Sequence, residues 1–267
     1  MLNDITFGQF YPSDSTVHKM DPRFKLVITF AFIIVLFMIN SIPGYIAAGV
    51  FVLLSIFASN VPIKLLAKNL KPLWFVLIFM FVLNIFFTQT GNVLVSVWVL
   101  KITDDGLLRA VVMLIRLVML IFFTGLLTLT TSPIALTVGI ESLFSPLKKI
   151  GFPAHEMAMM MTIALRFIPT LIEETDKIMK AQMARGASFD TGNLMQKAKS
   201  MIPLLIPLFV SAFRRADELA LAMTSRCYNG GEGRTRMNPL KTTSVDWVAS
   251  AVTLVFCGLM IALDIIF

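Results

Sequence analysis

Cysteine and histidine are nearly missing from this sequence, and charge is scarce. The two cysteines, Cys227 and Cys257, lie far apart with no partner at ligand spacing, which excludes a disulfide framework and a thiolate metal site. Of the two histidines, His155 with Glu156 could begin a zinc helix. Methionine occupies position 159, however, where a second histidine belongs. No metal site is therefore expected, and His155 is read as structural. There is also no Gly-x-x-x-x-Gly-Lys-Ser/Thr run to cradle a nucleotide. Gly230, Gly231 and Gly233 form a glycine-rich turn without the lysine and hydroxyl that phosphate binding needs. Those absences leave no catalytic residue to assign and no cofactor to expect in this chain.

Charged residues make up 15% of the chain, against about 25% in an ordinary soluble domain. What fills the space is hydrocarbon: 57% of residues are hydrophobic and the mean hydropathy is +0.83. Apolar runs recur at 26–39, 42–58, 73–87, 107–129 and 248–267, separated by polar connectors, and read as membrane helices. Runs 26–39 and 73–87 are short for a crossing of roughly 20 residues. Lys25 and Lys71 at their ends can snorkel to the interface, so both are expected to cross, with a re-entrant segment as the alternative. The polar leader with Asp14, His18, Asp21 and Pro22 does not resemble a secretory signal.

The net charge of +7 becomes informative through its placement. Lys19, Arg23 and Lys25 precede the first run, and Lys64, Lys68 and Lys71 separate the second from the third. Short basic loops mark the cytoplasmic face. The uncharged turn at Ser41 and the segment 88–105, with Lys101 as its one basic residue, then face outward. Within that segment, 93–100 suggests a short interfacial strand or loop. Fourteen of the twenty-three basic residues fall between Ser132 and Asp246, where nine acidic residues accompany them. That mixture argues for a cytoplasmic bulk and against nucleic-acid binding. The expected organisation is 1–131 as four membrane helices with a cytoplasmic amino terminus, 132–243 as a cytoplasmic region, and 244–267 as a final span ending outside. Arg109 is expected to snorkel outward and Arg116 to pair inside the bundle.

Helix signals are strongest in the second half. Ser132-Pro133 is an N-cap followed by a first-turn proline, and that helix should end by Ser145-Pro146. A longer helix is expected from about His155 to Arg185, with Glu173 and Lys177, and Asp176 and Lys180, at the favourable spacing of four. Gly186 stops it. Asn193 can cap a third helix to about Arg226, which Asn229-Gly230-Gly231 would end. Pro169, Pro203 and Pro207 should bend this pair. Met157, Met160, Met161 and Ala164 on the second helix, with Met201, Leu205, Ile206 and Phe209 on the third, make a soft apolar face suited to partners of several shapes.

Both long helices end alike, in Ala184-Arg185-Gly186 and Ser225-Arg226-Cys227. An arginine at a helix end can simply complement the helix dipole, a stabilisation of about 0.3–1 kcal/mol. Two matched tips with small neighbours instead suggest guanidinium groups shaped to enter similar sockets, where the planar fork meets a carboxylate.

With these tips the sequence resembles a known family, the transmembrane T component of energy-coupling factor (ECF) transporters. The likeness covers nearly the whole chain. It rests on Asp21-Pro22-Arg23-Phe24-Lys25, Ala164-Leu165-Arg166-Phe167-Ile168-Pro169, Ala181-Gln182 with Ala184-Arg185-Gly186, and Pro203 with Pro207-Leu208. Arg214-Arg215-Ala216, Glu218-Leu219-Ala220, Ala222-Met223 and Ser225-Arg226-Cys227-Tyr228 follow, then Arg234-Thr235. The resemblance implies an all-α integral membrane protein of about five transmembrane helices, with two long, crossed amphipathic coupling helices. It implies a non-catalytic subunit of an ATP-driven importer of a vitamin or micronutrient, working with two related ATPase subunits (EcfA and EcfA′ type). ATP and Mg would bind those partners, and one S component, whether exchangeable or dedicated, would bind the substrate. Arg185 and Arg226 would dock the ATPases. Ser225-Arg226-Cys227 departs from the family's Ala-Arg-Gly pattern, which leaves open which tip meets which ATPase. A stand-alone secondary transporter or channel, with Arg109, Arg116, Asp246 and Asp264 lining a path, is the alternative. A membrane scaffold unrelated to transport is a further one.

Overall fold

The structure is a computed structural model, and it describes residues 10–87, 93–97, 100–187, 189, 193–230 and 240–266. The chain divides into two compact units. One holds the described residues from Phe10 to Gly139 and from Leu240 to Ile266, the other those from Ile140 to Gly230.

In the first unit a single-turn helix, α1 (Thr16–Lys19), leads into α2 (Pro22–Met38) and α3 (Ile42–Ser59). Helix α2 starts where Asp21 accepts a hydrogen bond from the Arg23 amide and Pro22 takes the first turn, whose missing donor costs nothing there. Lys25, Thr29, Phe32 and Leu36 fall on its buried face at helical spacing, while Phe30, Ile34 and Phe37 point outward. The helices α4 (Ile63–Leu70) and α5 (Trp74–Phe87) are joined by a 3₁₀ turn at 71–73. Pro72 therefore tightens the helix instead of ending it, and Ile63–Phe87 forms one apolar stretch of 25 residues. An antiparallel hairpin follows, β1 (Val93–Val97) with β2 (Leu100–Thr103). It leads into α6 (Asp104–Thr130), capped by Thr103, and α10 (Ser244–Ile266) completes the unit.

Among the described residues, four helical stretches are long and apolar enough to cross a membrane: Ile42–Ser59, Ile63–Phe87, Asp104–Thr130 and Ser244–Ile266. Helix α2, with 17 residues, sits at the lower edge of that range. The core between the helices is aromatic. Phe32 lies 4.3 Å from Phe123 and 5.4 Å from Phe51, ring centre to ring centre. The outward faces are as apolar as the core, as lipid requires.

Polar knots tie the two ends of this bundle. At one end the fully buried Asp246 accepts hydrogen bonds from the Asp21 amide (2.8 Å), the Thr243 amide (2.7 Å) and the Thr243 hydroxyl (2.9 Å). Beside it the Lys25 ammonium donates to the carbonyl of Thr130 at 2.9 Å, satisfying the open end of α6, and to that of His18 at 3.3 Å. The His18 ring bridges Ser15 and the Tyr11 carbonyl, and its burial pulls the imidazole pKa below the ordinary value. At the other end Asp264 accepts from the amides of Asn40 and Ser41, at 2.8 and 2.7 Å. Arg116 bonds the Tyr45 hydroxyl and the Ile39 carbonyl, so it does pair inside the bundle. These links set the directions: α2 and α10 run from the Asp21 end to the Asp264 end, and α3 and α6 run back.

Helix α7 (Pro133–Phe144) starts as expected, with Ser132 accepting from the Ala135 amide, and a 3₁₀ turn at 145–150 ends it. The second unit is dominated by α8 (Ala154–Ala184) and α9 (Leu194–Ser225), which run unbroken through Pro169, Pro203 and Pro207. Asn193 and Gln196 form a reciprocal capping box at the start of α9.

Candidate functional site: two arginine-tipped helices

Each long helix closes in a Schellman motif. At the end of α8 the Gly186 amide donates to the Met183 carbonyl and the Ala187 amide to that of Gln182, both at 3.0 Å. At the end of α9 the Cys227 amide donates to Thr224 (2.9 Å) and the Tyr228 amide to Met223 (3.0 Å). The arginines occupy the same place in the two motifs, with φ and ψ of −88° and 6° at Arg185 and −93° and 17° at Arg226. Ala184, Arg185, Gly186, Ser225, Arg226 and Cys227 are all exposed. The likeness of the tips is therefore one of backbone geometry as well as residue type.

The second tip achieves that geometry without glycine. Cys227 adopts φ +58°, the left-handed region that Gly186 occupies at +90°. A side chain there costs about 1–2 kcal/mol, which glycine would relieve while adding about 0.5–1 kcal/mol of backbone entropy cost. Cys227→Gly is thus expected to keep the tip and to raise stability by up to about 1 kcal/mol. Cys227→Val should lower it, since a β-branched residue fits that region worst. Thermal unfolding of the two purified variants checks the order, and a Val variant as stable as the Gly variant would contradict it.

The helices pack antiparallel. Glu174 accepts from Arg215 Nη2 at 2.8 Å and from the Ser211 hydroxyl. Further along, Ile163, Phe167 and Leu171 share a groove with Ala216, Leu219 and Met223. This register sends the Arg185 tip and the Arg226 tip in opposite directions from the shared contact. The sequence reading missed the Glu174 junction; its trace there is a charge on each of two otherwise apolar stripes, beside Leu171 and beside Ala212 and Leu219. Among the described residues the expected pairs Glu173 with Lys177 and Asp176 with Lys180 do not form ion pairs. They lie on solvated faces where such pairs contribute little. His155 pairs with Glu141 at 3.0 Å, holding the start of α8 to the end of α7.

The methionine-rich face is present as an unburied surface. Met157, Met160 and Met161 are about half exposed, as are Met201, Leu205, Ile206 and Phe209, and Ala164 is exposed beside them. On α9 the stripe continues to Phe213 at 70% exposure, a large apolar area to leave in water.

These features define a class: a multi-pass helical membrane protein with a paired-helix unit that offers two cationic tips and a bare apolar face. The comparison with known proteins gives the family. Residues 13–237 match the family described as cobalt transport protein, CbiQ. The chain is 56% identical to the energy-coupling factor transporter transmembrane protein EcfT of Clostridium kluyveri over 256 residues, covering 96% of this chain and 95% of that one. It is 52% identical to the protein of that name from Ruminiclostridium cellulolyticum over the full length of both. Against the one from Bacillus subtilis it is 45% identical, covering 97% of this chain and 98% of that one. The chain belongs to the CbiQ family and is a transmembrane component of an ECF transporter.

Proposed function

We propose that the chain couples two ATPase subunits to a substrate-binding S component in an ECF-type importer of a vitamin or micronutrient. The observation that carries this reading is the pair of helix ends with one backbone geometry and one exposed arginine each, pointing in opposite directions. Two related ATPases offer two related sockets. Arg185 and Arg226 would each seat in one, with ATP and Mg held by the partners and no cofactor in this chain. The apolar stripe from Met157 to Ala164 on α8 and from Met201 to Phe209 on α9 would carry the S component. Closure of the ATPase pair on ATP then displaces the tips, and the Glu174 junction passes the motion between the helices. ATP biases this equilibrium only through its different affinity for the two arrangements.

Most of the basic residues of the first unit gather at the Asp21 end, where Lys19, Arg23 and Lys64 lie near helix starts, so that end is assigned to the cytoplasm. The coupling helices are then cytoplasmic, and α10 ends outside the cell membrane. A lone channel or secondary transporter would need its membrane charges free for a path. Arg116, Asp246 and Asp264 are instead spent on hydrogen bonds within the bundle.

Affinity purification of the tagged chain in mild detergent, followed by mass spectrometry, tests the reading. Two distinct nucleotide-hydrolysing subunits and a small membrane protein should be retained; a chain that emerges alone would refute it. Separately, Met160→Asn with Ile206→Asn is expected to cut uptake in reconstituted vesicles by about tenfold or more, since two desolvated anchors would each lose over 1 kcal/mol. ATP hydrolysis should persist, and unchanged uptake would remove this face from the mechanism.

A further inference from the structure

Within the first unit, α3 and α10 approach closely near the Asp264 end, where a Cβ on Gly44 would touch the Met260 carbonyl, and toward the Asp21 end residues 51–58 and 244–256 line a hollow. Between them lies a crevice of about 480 Å³. Its floor is Phe51, Phe123 and Phe256, with Phe51 5.6 Å from Phe123 and 5.2 Å from Phe256. Ile28 and Leu126 form the back wall, and Thr16 of α1 closes the top by bonding the Ala58 carbonyl at 3.4 Å. The sides are Leu54 on α3 and Val248 and Val252 on α10, each between 45% and 63% exposed. These side residues are continuous with the outward apolar surface of two membrane-crossing helices, so the crevice opens onto hydrocarbon.

Most of the polar groups that line it are spent within the protein, the buried Thr130 hydroxyl, which has no hydrogen-bond partner, being the exception. Ser55 donates to Phe51 O, Thr29 to Lys25 O and Thr253 to Ala249 O, each within its own helix, and the Lys25 ammonium is spent on the carbonyls of Thr130 and His18. An apolar hollow of this kind does not hold water well. A partner helix, about 10 Å across, would fill such a volume with roughly one turn and could not run along it.

We propose that this crevice is a binding site for one acyl chain of a bilayer phospholipid, seated between α3 and α10 with its headgroup at the Asp21 end. The lipid supplies the packing that the parted helices withhold from each other. The volume lies in the range of small-molecule pockets, and its lining, apolar with hydroxyls at the rim, suits an amphiphile.

The test is photo-crosslinking in vesicles that contain a phospholipid with a diazirine in its acyl chain, using the assembled transporter, with adducts mapped by mass spectrometry. Adducts are expected on 51–58 and 248–256 at several times the yield found on Phe75 and Phe79, which are equally apolar and comparably exposed on α5. Ala249→Phe, which fills the crevice, should bring that excess down to the α5 level, and Ser55→Leu should reduce it. Should Ala249→Phe fail to fold, Ser55→Leu and the unmodified protein still decide. Equal labelling on α3, α5 and α10 means annular lipid alone and overturns the proposal. So does labelling seen in the isolated chain but lost in the assembled transporter, which would assign the crevice to a partner.

Discussion

Arg185→Glu combined with Arg226→Glu is expected to abolish ATPase association while leaving the protein in the membrane. A hydrogen-bonded charge is worth about 1.5–3 kcal/mol, and reversal adds repulsion against whatever carboxylate the socket offers. Loss at both tips should weaken the assembly by two orders of magnitude or more, at 1.4 kcal/mol per tenfold. Either single substitution should weaken it by about tenfold. Folding should be untouched, because both side chains are exposed and neither closes the motif that positions it. Arg185→Lys separates fork from charge: lysine keeps the charge but cannot make a planar two-point contact, so it should restore only part of the binding. The measurement is the ATPase retained per mole of tagged chain in detergent. Full retention by the double variant would end the socket reading.

Asp246→Ala should have the largest effect on stability. The substitution strips the partner from the Asp21 amide and from both donors of Thr243, in a position that no solvent reaches. One buried orphaned amide costs about 1–3 kcal/mol and the lost cap about 1 kcal/mol more. The unfolding midpoint in detergent should fall by about 10 °C, taking roughly 2–4 °C per kcal/mol. Asp246→Asn keeps one acceptor oxygen and should lose about half as much. An Ala variant that melts with the parent would show that the knot does not hold α2 to α10.

Much of this molecule was legible in the chain because its helix ends are written in local chemistry. Ser132-Pro133, Gly186, Asn193 and Asn229-Gly230 each act within a few residues, and the bounds of α7, α8 and α9 follow from them. The expected run 73–87 came out short for a different reason, since Pro72 lies inside one stretch from Ile63 to Phe87. A proline in the first turn of a new helix and a proline that breaks an old one look the same until the backbone is seen, and here α4 and α5 join. The matched tips were visible as residue types, but not the left-handed backbone of Cys227, which lets the Cys227 and Tyr228 amides each bond back to α9. The knots at Asp246 and Asp264 join residues more than 220 apart, and no periodicity carries such information.

The return of α10 to the first unit has a consequence for biosynthesis. The ribosome must make the 113 residues from 131 to 243 before it reaches Ser244. At translation rates of about 5–20 residues per second, that is a delay on the order of ten seconds. Throughout it, the amides of Asp21, Asn40 and Ser41 wait without the carboxylates that later satisfy them. The nascent bundle is an unfinished seam, and a stalled or clipped chain lacking its last helix would present that seam to the cell's quality-control proteases.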